Sequence, residues 1–316
     1  MVDLAVDVGR LKLANPVMPA SGTFSDGLAR VIDFNRLGAF VIKTVTRELR
    51  AGNPTPRVAE TAGGMLNSIG IPSKGIDYFF RETLPFYRCF GPPLVASISA
   101  PTADGFASLA ADISVAGVAA IEANISCPNL EEDGRAFAMT PQATAAVVAR
   151  LRAATKLPLW VKLTPNTGDI AEVARAAEAN GADAVVVANT ILAMAIDVGT
   201  FRPRLGSITG GLSGPAVKPV ILRQVYQCAR VVKIDIIGCG GIACGADAVE
   251  YMLAGARAVQ VGTATFIHPT ALIRVIDELE DFCNRKGFTR ASALTSALMR
   301  SGADETDVEW RQEAGE

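Results

Sequence analysis

The densest run of reactive and hydrogen-bonding side chains is Asn124-Ile125-Ser126-Cys127-Pro128-Asn129. A free thiol titrates near ~8.5 and accepts a proton only as thiolate, so Cys127 suits proton abstraction where its surroundings favour ionisation. The single histidine, His268, lies in Phe266-Ile267-His268-Pro269. That context suits a surface turn opening the last helix and leaves proton transfer to another residue. Lys43 and Lys162 interrupt otherwise apolar runs, and burying an ammonium without a partner is costly. A structural ion pair would account for each lysine, but no acidic residue lies at the neighbouring strand ends, which favours a ligand carrying negative charge. Asn67, Asn124, Asn129 and Asn189 offer paired donors and acceptors suited to a small imide or amide ring. Any one of them alone reads equally well as a turn or a cap.

Three glycine-rich turns add a second kind of chemistry: Gly210-Gly211-Leu212-Ser213-Gly214, Gly240-Gly241 and Gly262-Thr263. Backbone N–H groups reach a phosphate most closely where no Cβ intrudes, and a following helix N-terminus adds positive potential. With a phosphorylated end held there, Lys162 suits the electron-rich pyrimidine end of a reduced flavin.

The elements that must position these residues alternate β-rich runs with amphipathic helices, the pattern of a parallel α/β sheet. Eight core strands are expected: Val17–Ala20, Ala39–Thr44, Leu94–Ser99, Ala120–Ser126, Leu157–Thr164, Ala184–Thr190, Ile234–Cys239 and Ala258–Gly262. The helices expected between the later strands are Thr140–Ala154, Asp169–Asn180, Ala216–Val232, Gly245–Ala254 and Pro269–Arg285. Thr140-Pro141 is a cap with proline at the first helical position, and Gly181 is a stop signal. The fold predicted is a (β/α)8 TIM barrel in one domain over residues 1–316, whose chemistry gathers at the C-terminal strand ends. Asp3–Leu13 is expected to form a hairpin closing the lower end. Arg47–Ile71 and Asp197–Ser213 are expected to be long inserted loops at the C-terminal face.

Composition narrows the function. The 316 residues are 50% hydrophobic with a formal charge of −2 and no basic block, which argues against nucleic-acid binding. No apolar run reaches the ~18 residues of a spanning helix, and the first residues lack a secretory pattern, so a cytoplasmic location is expected. The six cysteines form no C-x-x-C pair, which argues against a metal or iron–sulfur cluster held by this chain.

The Asn124–Asn129 motif resembles the catalytic signature of dihydroorotate dehydrogenases. The resemblance runs along nearly the whole chain, through Pro19-Ala20-Ser21-Gly22-Thr23-Phe24, Lys43-Thr44, Gly52–Arg57, Met65-Leu66-Asn67-Ser68-Ile69-Gly70, Val161–Asn166, Ala188-Asn189-Thr190, Gly211–Pro219 and Gln260-Val261-Gly262-Thr263-Ala264. Gly211–Ala216 and Met194-Ala195-Ile196-Asp197 look most like the NAD-linked type (class 1B). That type works with a partner subunit carrying FAD and a [2Fe–2S] cluster, which implies a heterotetramer around a homodimer core. The resemblance implies FMN as cofactor and oxidation of dihydroorotate to orotate, with Cys127 taking the C5 proton while hydride leaves C6 for the flavin. It places Lys43, Asn67, Asn124, Asn129, Asn189 and Thr190 on the pyrimidine, with Ser68, Ile69, Gly70 and Ile71 beside it. Around FMN it places Ser21, Lys43, Thr44, Ser97, Asn124 and Lys162, then Ala188, Gly214, Gly240, Gly241, Gly262 and Thr263.

Two departures stand out. Ser97 replaces a frequent flavin-contacting asparagine. The usual glycine-rich segment after the cysteine reads Asp133-Gly134-Arg135-Ala136-Phe137-Ala138-Met139, within an expected mobile lid over Pro128–Met139. Three other readings remain at this point: a dihydropyrimidine dehydrogenase-like catalytic subunit, an RNA dihydrouridine synthase-like enzyme, and a catalytically silent flavoprotein. The Ser21–Phe24 and Asn67–Gly70 segments favour dihydroorotate over dihydropyrimidines, the −2 charge disfavours RNA, and Cys127 with both lysines disfavours a silent scaffold.

Overall fold

The computed structural model describes residues 2–126 and 136–300. Eight parallel strands form one sheet: β1 Val17–Pro19, β2 Phe40–Val41, β3 Leu94–Ile98, β4 Ala120–Asn124, β5 Leu159–Lys162, β6 Ala184–Val187, β7 Asp235–Cys239 and β8 Ala258–Val261. Each lies within an expected strand. The order runs from β1 through β8, β7, β6, β5, β4 and β3 to β2. The Gly38 amide donates to the Val17 carbonyl at 2.9 Å and brings the two ends of the sheet together. This is the (β/α)8 barrel that the alternating pattern predicts.

Strand alternation divides the core in two. Outward side chains pack under the helices, while Met18, Val41, Val95, Ala120, Trp160, Val186, Ile237 and Ala258, one from each strand, pack inside the barrel. The five expected helices are present, trimmed by one to three residues at most ends. Thr140 accepts from the Ala143 amide and Asp169 accepts from the amides of Ala171 and Glu172, so both caps act as the sequence suggests. Of the helical segments outside these five, two are the longest among the described residues. Ala103–Ile113 connects β3 to β4, capped by Thr102 and burying Phe106, Leu109, Ala110 and Ile113. Residues 76–87 form three consecutive helical stretches between β2 and β3.

The N-terminal hairpin, Val6–Val8 paired with Leu11–Leu13, closes the lower end as expected. Its turn is tied to the starts of β6 and β7. Gly9 donates to Asp235 at 2.9 Å, and Arg10 pairs with Asp183 at 2.8 Å.

The two glycine-rich insertions are not plain loops. Val58–Thr61 and Gly64–Asn67 from the first and Gly210–Ser213 from the second join Ile191–Ala193, which follows β6, in one antiparallel four-stranded sheet. The pairing of Met65–Asn67 with Gly211–Ser213, some 145 positions apart, leaves no local signature, whereas Val58–Asn67 is a local hairpin turning on Ala62-Gly63. Among the described residues no helix is long and apolar enough to cross a membrane.

Candidate active site

The inward positions turn polar toward the C-terminal strand ends. Lys43 is half-buried just beyond β2, and Thr44, Ser97, Asn124 and Lys162 are buried around the same rim. The hydroxyls of Thr44 and Ser97 lie 3.0 Å apart. The serine found in place of the frequent asparagine therefore makes a hydroxyl pair between β2 and β3. The Lys43 ammonium reaches toward β1: a Cβ built on Gly22 would lie 3.4 Å from its Nζ.

Lys162 crosses the barrel. Its Nζ donates to Gln260 on β8 at 2.9 Å and lies 3.5 Å from the Ser21 hydroxyl. It also lies 3.9 Å from a carboxylate oxygen of Glu122 on β4. The expectation that no acidic residue neighbours this lysine is thus corrected. Glu122 sits inside β4 and not at its end, facing the same interior, so inspection of strand ends alone overlooks it. At the end of β7, burial pushes the Cys239 thiol up, against the pull of Lys162.

The amide-bearing residues form one connected arc. Asn189 donates to the Ser126 hydroxyl at 2.7 Å, and Ser126 donates to Asn124 at 2.7 Å. Thr190 follows, its amide bonded to the Asn189 side chain. The small antiparallel sheet brings Asn67 to this arc: Asn67 donates to the Gly211 carbonyl at 3.1 Å. Gly211 in turn passes so close to Thr190 that an added Cβ would lie 1.9 Å from its hydroxyl. Ser126, named at first only as a strand end, is the link between the two asparagines.

Not every expected contact joins this arc. The Ser68 side chain is held by Asn53 and Ser207, at 2.7 and 2.8 Å, within the inserted segments. Ile69, Gly70 and Ile71 are half-buried beyond it, with Gly70 and Ile71 at positive φ. Cys127 and Asn129 lie outside the described residues. Of the expected lid, Phe137 and Ala138 are buried, Phe137 against Phe106, and the Ala138 amide is bonded to Ile125. Within the expected lid, Phe137–Met139 therefore packs against the barrel. His268 is exposed at the end of a four-residue helix, as its context suggests.

The glycine turns meet where the ends of β7 and β8 adjoin Gly214, just past the Gly210–Ser213 strand. Gly214 has φ +99 and Gly241 φ +71, conformations that side chains with a Cβ rarely adopt. A Cβ on Gly241 would lie 2.9 Å from the Gly214 carbonyl, and one on Gly214 would lie 3.6 Å from Thr263. Gly240 precedes Gly241 in the turn after β7, and Gly262 sits against Ala20 beside Ser21. The missing Cβ atoms let the turns pack this closely against Lys218, Ile221 and Gly64, and leave backbone N–H groups of the kind that suit a phosphate. The helix after β7 does not serve as an open anion site, which corrects the second half of that expectation. Its own Asp247 accepts from the amides of Ala243 and Cys244, at 2.8 and 3.1 Å. Ala188, 2% exposed, closes the floor between β6 and β7 through its amide bond to Cys239. Glycine turns, a buried lysine and a hydroxyl pair are together the kind of donor set that a phosphorylated flavin would need.

A family model described as dihydroorotate dehydrogenase matches residues 3–283. A protein of Trichlorobacter lovleyi named dihydroorotate dehydrogenase B (NAD(+)), catalytic subunit, is 49% identical over 298 residues, covering 93% of this chain and 98% of that protein. A protein of Bacteroides fragilis with the same name is 47% identical over 301 residues, covering 94% and 99%. One of Geobacter metallireducens, also so named, is 47% identical over 299 residues, covering 94% and 98%. The chain belongs to the dihydroorotate dehydrogenase family and is an oxidoreductase.

Proposed function

We propose that residues 1–316 act as one FMN-binding barrel that oxidises (S)-dihydroorotate to orotate in pyrimidine biosynthesis. The observation that carries this reading is the joining of Asn67, Asn124, Asn189 and Thr190 into one arc, beside a rim that fits a flavin. A dihydropyrimidine ring presents alternating N–H and C=O groups, and amide side chains match both. When bound, FMN supplies the hydride acceptor. Lys43, Asn67, Asn124, Asn129, Asn189 and Thr190 orient the substrate so that its C6 hydrogen faces that acceptor. Cys127, as thiolate, takes the C5 proton. Lys162 places positive charge at the ring end, where a two-electron reduction adds negative charge.

The relatives' shared name, which includes NAD(+) and a catalytic subunit, supports a partner and NAD⁺ as acceptor. The proposed partner is a subunit carrying FAD and a [2Fe–2S] cluster that passes electrons to NAD⁺, around a homodimer of this chain. The purified chain should be yellow, release FMN on denaturation, and bleach anaerobically with dihydroorotate but not with dihydrouracil. NAD⁺ should not restore the colour quickly without the partner. Bleaching by dihydrouracil instead would reassign the substrate, and a folded chain that takes up no FMN would remove the flavin reading.

A further inference from the structure

Glu122 is buried completely inside the barrel, where an isolated carboxylate is strongly disfavoured. Its Oε2 accepts from the Gln260 amide at 2.6 Å, while Oε1 has no hydrogen-bond partner. The same Gln260 presents its carbonyl oxygen to Lys162 at 2.9 Å. The amide is thus a spacer, with its donor end on Glu122 and its acceptor end on Lys162. At 3.9 Å, Lys162 Nζ and Glu122 Oε1 are beyond hydrogen-bond reach but well within Coulombic reach. All three side chains are buried, Gln260 at 1% and Lys162 at 3% exposed. Buried charge of this kind rarely adds stability over apolar packing of the same volume. An arrangement that keeps the carboxylate off the ammonium therefore needs a reason beyond folding.

We propose that Glu122 is a positioning residue for Lys162. Acting through Gln260, it holds the ammonium at the rim beside Ser21 and offsets part of its charge. It thereby sets how strongly the site favours negative charge on the pyrimidine end of a bound flavin. This rests on the flavin reading above. Direct closure of Lys162 on Glu122 would withdraw the positive charge into the barrel. Loss of Glu122 would leave the charge fully felt at the rim.

Sulfite is the probe. Its sulfur lone pair adds to the oxidised flavin N5, the new S–N bond forms, and the displaced electron pair leaves negative charge on the pyrimidine ring. The dissociation constant is read from the lost visible absorbance of the FMN-loaded chain. Glu122→Gln removes one buried negative charge at nearly constant shape and should tighten sulfite binding about tenfold. Gln260→Leu keeps the carboxylate but removes the spacer, so Lys162 closes inward and sulfite should bind several-fold more weakly. The exchange Glu122→Gln with Gln260→Glu puts the carboxylate directly on Lys162 and should cancel the tightening. A residue that merely fills space would not give effects that follow the sign of the charge. Flavin-loaded variants with the wild-type sulfite constant would overturn the proposal alone. A wild-type chain that takes up no FMN fails the flavin reading, and the proposal with it.

Discussion

The two ends of the barrel are built from the same eight strands and use polar residues in opposite ways. At the lower end, charges are spent on one another and on the backbone. Asp183 receives Arg10, Arg152 at 2.9 Å and the Leu159 amide at 2.8 Å, and Asp235 receives Arg257 at 3.2 Å and the Gly9 amide. The hairpin covers this end, and Trp160 fills the interior above it. At the upper end, Lys43, Asn67, Asn189 and Thr190 stay half-buried, and the glycine turns at Gly214 and Gly241 pack against each other. Below, polar groups close the barrel; above, buried Thr44, Ser97, Asn124 and Lys162 alternate with half-buried groups that still reach solvent.

That contrast can be broken from either side. The largest effect on folding should come from the lower half. Trp160→Ala empties the volume of a fully buried indole, and such truncations cost about 3–5 kcal/mol. Urea unfolding should show that loss, while the fraction that remains folded still binds one FMN per chain. A loss under ~1 kcal/mol would mean that the interior collapses freely and is not the closed support described above.

A smaller effect separates structural from ligand-directed polarity within the upper rim itself. Asp247 caps the helix after β7 and receives Lys218 at 2.7 Å. Burial opposes its ionisation, but Lys218 and the Ala243 amide outweigh it and hold the carboxyl below its ordinary value of 3.8. A carboxyl lowered by folding stabilises the native state above its unfolded pKa, and the contribution drains away as pH falls through the folded value. Asp247→Asn should therefore lose about 1–2 kcal/mol at neutral pH. It should also flatten the acid limb of the stability curve below pH ~3.8. An unchanged acid limb would show that Asp247 contributes nothing through its charge.

The same contrast explains what the sequence could disclose. The eight strands were legible because apolar runs such as Ala184–Val187 are covered on both faces, and the caps at Thr140 and Asp169 are local signals. The helix Ala103–Ile113 carried the same kind of signal in Thr102 and its apolar spacing but was passed over beside the strands that flank it. The joining of the antiparallel sheet is not legible because Gly211 meets Asn67 only through the fold, although its Val58–Asn67 hairpin is local. Lys162 was legible as a buried lysine. Its relation to Glu122 was not, since the two lie on separate strands and their register decides whether they share a layer.

The most direct test of the upper rim as a dihydroorotate site is anaerobic rapid mixing of the FMN-loaded chain with dihydroorotate, following the visible absorbance in wild type and in Cys127→Ala. A positioned base is worth ~10²-fold or more. The variant should keep its full FMN content and bleach at least that much more slowly. In wild type the rate should rise with pH through a single ionisation, as a thiolate base requires. A Cys127→Ala chain that bleaches at the wild-type rate would contradict the assignment and leave Lys43, which reaches toward Gly22 after the neighbouring β1, as the next base to examine.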